Sequence, residues 1–276
     1  MLPLASRLSG AERLERVSWM PYLGAQTTVP NRTLPDGLDV LRDEFKPVEV
    51  MRLIERTARW VDPATFRLLP LWYPEYARQA YFYKTNWSEP QMNTTRQSSH
   101  TEHKREGNRY ANIALTTALG LRSVDRPGWS CCHIWGVDDA AFQQSNAIVQ
   151  DRRYYSCVAN VVLLPTPLKA FTDAMPEVKA MLRVCAHYLY GWACEHESLA
   201  ETVAIVSGWD GWDAYPASWP RSPDAPLVPG VMPLDGRIRK SASGRLSRIK
   251  SDLIKAGPHY PRDGVRAALD FWKIKL

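Results

Sequence analysis

With 276 residues, 45% of them hydrophobic and 23% charged, the chain can bury a sizeable core, which excludes a wholly disordered protein. No apolar run approaches the roughly 18–20 residues that cross a bilayer, and residues 1–8 lack the apolar stretch of a secretory signal, so neither membrane insertion nor export is expected. The net charge of +6 is concentrated at one end, where residues 237–276 carry 11 Lys and Arg against 3 Asp and Glu; such a block points to a polyanion partner, because neutralising phosphates releases condensed counterions.

Residues 1–40 are Pro-interrupted and suggest no element. Over 47–60, Val50, Leu53, Ile54 and Trp60 suit one helical face. Asp62-Pro63 opens a second short helix through Leu69, since Pro is tolerated in a first turn. The aromatic-rich stretch 72–87 fits helix or strand. Residues 88–106 read as an exposed polar loop in which His100 and His103 are not expected to hold metal. A helix over 106–119 places Ala111, Ala114, Leu115, Ala118 and Leu119 on one face, and Gly120 closes it. A turn at 122–128 leads into a strand over 129–135. A second strand is expected before Pro165, and then a helix over 166–173.

Pro176 opens a buried helix marked by Val178, Met181, Leu182, Cys185, Leu189 and Trp192. Cys185, His187, Cys194 and His196 lack the spacing of a zinc knuckle, so structural zinc is not expected. The five Cys, without paired CxxC spacing, read as reduced thiols of a cytoplasmic protein. Residues 208–236 hold six Pro, four Gly and three Trp and read as a linker or a functional loop. A helix over 244–256 turns Leu246, Ile249, Leu253 and Ile254 inward, with Arg245, Arg248 and Lys255 largely away from them. A last helix starts at Asp263 as N-cap and carries Val265, Leu269 and Trp272. The expected architecture is α+β, a predominantly helical body around a hairpin-helix unit, in three regions: 1–128, 129–207 and 208–276.

The chemistry concentrates in residues 131–173. His133 lies in an apolar strand, where packing fixes the ring and its pKa sits near neutrality. Asn160 precedes the second apolar run (VVLLP) and can hold the intervening loop through its amide. Lys169 begins the following helix and can meet a phosphate. Together they offer a base for water, a brace for that base and a cation for the phosphorane charge. Cys131 and Cys132 also suggest a thiol nucleophile. However, adjacent residues on a strand face opposite ways, and Cys131 is two residues from His133, roughly 6–7 Å away.

This pattern resembles the ββα-metal (HNH-like) nucleases. In that family a general-base His lies on the first strand, an Asn precedes an LLCP-like run, and a metal-binding His follows nine residues later. Here His133 and Asn160 match, while Lys169 stands nine after Asn160, with Phe171 and Asp173 behind it. The likeness covers about 43 residues. Lys169 departs from the pattern, because a protonated ammonium cannot ligate a metal, and so does Cys132, which precedes the base where Asp or His is common. Mg²⁺ prefers oxygen ligands to thiolate. Lys169 can replace the metal's charge, Asp138, Asp139 or Asp151 can enter as ligand for Mg²⁺ or another divalent ion, or the unit can be an inactive nuclease fold kept for binding. Alternatively the likeness is accidental, with His133 a core residue and Lys169 a surface one.

The resemblance implies a DNA endonuclease, most simply of the restriction type, since a small catalytic unit sits in a large helical body. The base is His133. Arg152 and Arg153 are expected to clamp neighbouring phosphates. The 237–276 region, with Arg237, Arg239, Lys240, Arg245 and Arg248, supplies duplex affinity, and the Trp-rich loop with Arg221 reads bases or shape. A palindromic target implies a two-fold dimer.

Overall fold

Proline and aspartate set where the first helices begin. The computed structural model of the chain describes residues 37–93, 102–136, 146–199 and 208–276, together with Leu34 and Val206. Contacts divide the chain after Gly37, and Leu38–Leu276 form one unit. Helix α1 spans Gly37–Glu44. Helix α2, Pro47–Thr57, opens on its proline and buries Val50, Met51 and Ile54. A two-residue strand β1, Trp60–Val61, follows, and Asp62 caps α3, Pro63–Leu68, by accepting from the Ala64 amide at 2.7 Å. The other carboxylate oxygen of Asp62 accepts from Leu234 N at 3.1 Å and so ties this corner to distant chain.

The described residues of 71–105 form no long element. Isolated bridges join Tyr81 to Arg105 and Tyr83 to Pro90, and Tyr76 stacks on Tyr110 of α4, Arg109–Ala118. His103 is exposed in this segment, as expected, and His100 lies outside the described residues.

Strand β2, Trp129–His133, pairs antiparallel with β3, Val161–Pro165, in a register that sets His133 opposite Val161. Between them lies the short helix α5, Ala147–Gln150. After β3 a 3₁₀ turn at Thr166–Leu168 runs into α6, Lys169–Ala174, which packs on β2. Helix α7, Pro176–Tyr190, ends on Gly191 in the left-handed conformation that glycine adopts without strain. Contacts to α2, α4 and β1 surround β3, and Val161, Val162, Leu163 and Leu164 are all buried. That is why its sequence is a continuous apolar run rather than an alternation.

Strand β4, Val231–Met232, pairs parallel with β1. Gly230, at φ +84°, makes this approach possible: a side chain there would collide with the Ala58 carbonyl oxygen, while Trp60 N donates to Gly230 O at 3.0 Å. Helix α8 spans Gly236–Lys255, starting eight residues before the expected 244, with Asp235 accepting from Ile238 N at 2.8 Å. Its inward face carries Ile238, Ala242, Arg245, Ile249 and Asp252, so Arg245 turns in and Ile254, expected inward, is 74% exposed. The final helix α9 spans Arg262–Phe271 and follows Pro261; Asp263 lies inside its first turn rather than at the cap.

Among the described residues the architecture is thus a mixture of helices and two small sheets. One apolar cluster runs from Val50 to Ala268 and crosses both expected region boundaries, near 128 and 207. A smaller cluster joins Trp87, Ile249, Tyr260 and Leu269 and fastens α8 and α9 to the 83–87 segment. Residues 208–230 are irregular but pack through buried Tyr215, Trp219 and Val228, as a fastened loop. Among the described residues no helix is long and apolar enough to cross a membrane.

Candidate active site

Beyond His133 the backbone continues to bond to Asn160, the residue before β3. Ile134 N donates to Asn160 O and Trp135 N donates to the Asn160 side-chain oxygen, both at 2.8 Å. The Asn160 amide nitrogen donates to Tyr154 O at 3.1 Å. Fully buried, this one side chain holds the exit of β2 against the chain entering β3. Asn160 thus bonds Trp135 through its oxygen and Tyr154 through its nitrogen.

The half-buried His133 ring faces the same braced segment. Its Nε2 donates to Tyr155 O at 2.9 Å, and the ring stacks on the Tyr155 ring at 5.7 Å between centroids. A carbonyl only accepts, so this bond fixes the proton on Nε2 and leaves the lone pair on Nδ1. Burial pushes the His133 pKa down to about 4, the Tyr155 carbonyl opposes that shift, and the charges of Arg78 and Lys179 reinforce it. At neutral pH the ring is an uncharged base in one tautomer.

Three further residues hold this arrangement, and no sequence motif marks them. The Tyr155 hydroxyl donates to buried Glu106 at 2.8 Å. From α7, Arg183 reaches the carbonyls of Ile134 (3.2 Å) and Gly136 (2.8 Å), with its guanidinium 5.7 Å from the Trp135 ring. Exposed Arg78 adds a positive charge that His133 feels. An arginine inside an otherwise apolar stretch of α7 was the only available signal, and it was weak.

Lys169 lies on α6 with its Nζ 2.7 Å from Asp173 Oδ2, and the two side chains are 48% and 37% exposed. Both charges act on the Cys132 thiol, which burial pushes up to about 12. Cys131 is raised further, chiefly by burial. Neither thiol ionises near neutrality, which removes the basis for a cysteine nucleophile. The same chemistry bears on a metal: an un-ionised thiol, an ammonium and a single carboxylate make a poor donor set for a divalent ion. Among the described residues no group of three or more His, Cys, Asp or Glu converges. Asp151, one candidate ligand, is engaged by Arg153 at 2.5 Å and faces His196 at 3.9 Å. Asp138 and Asp139 lie outside the described residues. Cys132, Lys169 and Asp173 therefore do not by themselves make a divalent-metal site.

The basic residues fall into two groups. Arg245 donates to Trp72 O at 2.6 Å, pairs with buried Glu75 and lies 4.3 Å from the Tyr73 ring, and Arg152 donates to the Glu75 carbonyl. Arg153 is held by Asp151 and lies over Tyr154 and Phe271. Arg152 and Arg245, expected at phosphates, thus have internal partners, and Arg153, with 38% of its side chain exposed, is paired with Asp151. By contrast Arg237, Arg239, Lys240, Arg248, Lys250 and Lys255 lie on the exposed arc of α8, which carries no acidic residue. Arg237 also donates to Gly120 O at 3.0 Å, and Arg248 pairs with Asp252 at 2.8 Å. Arg221 is exposed, 5.4 Å over Trp212.

Compared with protein-family models, with curated proteins and with solved structures, the chain matches none.

Proposed function

We propose that the chain is an endonuclease that hydrolyses phosphodiester bonds in duplex DNA, with a ββα-type unit made of β2, β3 and α6. The observation that carries this reading is the His133 imidazole, locked as an Nδ1 base by the Tyr155 carbonyl on a loop that Asn160 braces. A general base needs its lone pair held on one nitrogen in a fixed direction, and this bond supplies that.

In this reading His133 Nδ1 takes a proton from water. The water oxygen bonds to phosphorus as the opposite P–O bond breaks, and the leaving oxygen is protonated from solvent. Lys169 supplies positive charge to the phosphorane oxygens. Its position supports that role, since a cation near the start of a helix is opposed by the helix dipole and contributes little to α6 itself. The Lys169–Asp173 pair does not block the role, because an exposed pair of this spacing is worth only about 0.3–0.5 kcal/mol and yields readily to a phosphate. The exposed arc of α8, about 30 Å long, supplies cations over roughly one turn of duplex. Restriction-type specificity, with Arg221 and its Trp-rich loop reading bases and a two-fold dimer on a palindrome, is the finer form of the proposal.

A second reading rests on the Lys169–Asp173 contact itself: the unit binds duplex and does not cut. Supercoiled plasmid incubated with Mg²⁺, with Mn²⁺ and with EDTA separates the two. Nicking by the wild type that His133→Ala abolishes supports the nuclease, and persistence in EDTA supports Lys169 as the charge donor. Duplex binding without nicking in every condition would leave the binding reading.

A further inference from the structure

The ends of α3, α7 and α9 meet at an open cleft of about 540 Å³ that the proposed cleavage site does not use. Phe66, Trp192 and Trp272 supply its aromatic wall, and Arg67, Lys273 and Lys275 stand on its rim. Trp192 and Trp272 lie 5.5 Å apart at 43°, and Phe66 meets Trp272 edge-on at 5.8 Å. The Trp272 ring is immobilised, since its Nε1 donates to Arg153 O at 2.7 Å. Both indoles keep part of their surface open, the three cations are exposed, and no carboxylate is among the lining residues.

The backbone at Lys273 adds a second observation. Helix α9 ends with Ile274 N donating to Leu269 O at 2.9 Å and Lys273 N donating to Asp270 O at 3.0 Å, which places Lys273 at φ +52°. This helix-ending turn favours glycine, because a Cβ is strained in the left-handed region. A lysine there works against the local backbone, so helix termination does not explain its side chain. That side chain stands on the rim of the aromatic cleft.

Fixed aromatic faces beside cations that pair with no carboxylate among the described residues match one ligand chemistry, a flat heterocycle carrying a phosphate. We infer that this cleft binds a nucleotide, with the base against the Trp192–Trp272 wall and the phosphate among Arg67, Lys273 and Lys275. The site stands apart from His133, so it holds whether or not the chain cleaves DNA. The nucleotide is either free or part of a single strand.

Calorimetric titration of the full chain, carrying His133→Ala to prevent turnover, tests this at low salt. The probes are deoxynucleoside 5′-monophosphates, a short single-stranded oligonucleotide, and deoxyribose 5-phosphate as a base-free control. Binding of a monophosphate or the oligonucleotide at least about tenfold tighter than the control is expected, as stacking of one base provides. Lys273→Gly should weaken that binding about tenfold or more while the melting temperature holds or rises, because glycine relaxes the turn. Arg67→Glu, at an exposed position, should weaken it similarly. Tighter binding of the oligonucleotide identifies a strand as the source, and tighter binding of the monophosphate identifies a free nucleotide. No binding near 1 mM, equal binding of the base-free control, or binding indifferent to both substitutions overturns the inference.

Discussion

With Nε2 of His133 on the Tyr155 carbonyl and no partner for Nδ1 among the described residues, the titration of this ring sets two measurable expectations. Because the His133 pKa in the folded protein is about 4, below the ordinary value near 6.5, the unfolded chain takes up the proton first. The resulting stability is fully present above about pH 6.5 and is lost as pH falls toward 4, a span of roughly 3 kcal/mol. Urea midpoints of the wild type should drop across that window more steeply than those of His133→Gln, and parallel curves would refute the assignment. For cleavage, the same shift keeps the base form populated in mild acid. The acidic limb of kcat/KM should therefore fall well below pH 6.5, and His133→Ala should lower kcat by about 10²–10⁴. Asn160 makes its bonds in full burial, so Asn160→Ala should cost about 2–4 kcal/mol in chemical denaturation. The strands that carry His133 and place Asn160 just before β3 were legible in the sequence because they follow from apolar runs and short-range spacing. Tyr155, Glu106 and Arg183 were not, since their partners are backbone carbonyls and a tyrosine hydroxyl brought close by folding.

Helix α8 shows how an element's inward face escapes a short sequence window. Reading it from Gly244 assigned Ile254 to the core and left Arg245 away from it. The helix begins at Gly236, and its inward face includes Arg245 and Asp252. Polar residues there defeat a pattern based on apolar periodicity. Glu75 explains why an arginine is tolerated: its carboxyl is buried and its pKa is raised by burial, with Arg245 opposing that shift. Removing the guanidinium alone leaves a buried carboxyl without its partner. Arg245→Met should thus destabilise the protein by about 3–5 kcal/mol, and the double change with Glu75→Gln should recover much of the loss. Thermal melts of the two singles and the double form the cycle that measures it, and additive losses would count against a coupled pair. The cap at Asp235 is a separate and smaller matter. Asp235→Ala should cost about 1 kcal/mol.

At the scale of the whole molecule, the charge surplus becomes a surface only once α8 presents one side outward. Duplex binding by that surface should weaken steeply with salt. Replacing Lys240, Arg248 and Lys250 by Gln should reduce the slope of log K against log salt by about one per lost phosphate contact. An unchanged slope would place the duplex elsewhere. The sequence alone determined the helix starts at Pro47, Pro63 and Pro176, the hairpin of β2 and β3, and the basic character of the last forty residues, because these follow from backbone sterics, local periodicity and composition. Only the tertiary structure decided which arginines stay outside, how the His133 ring is held, and that a cleft forms from the ends of three separate helices. Those outcomes depend on which distant carbonyls, carboxylates and rings burial brings within reach, and local sequence does not encode that.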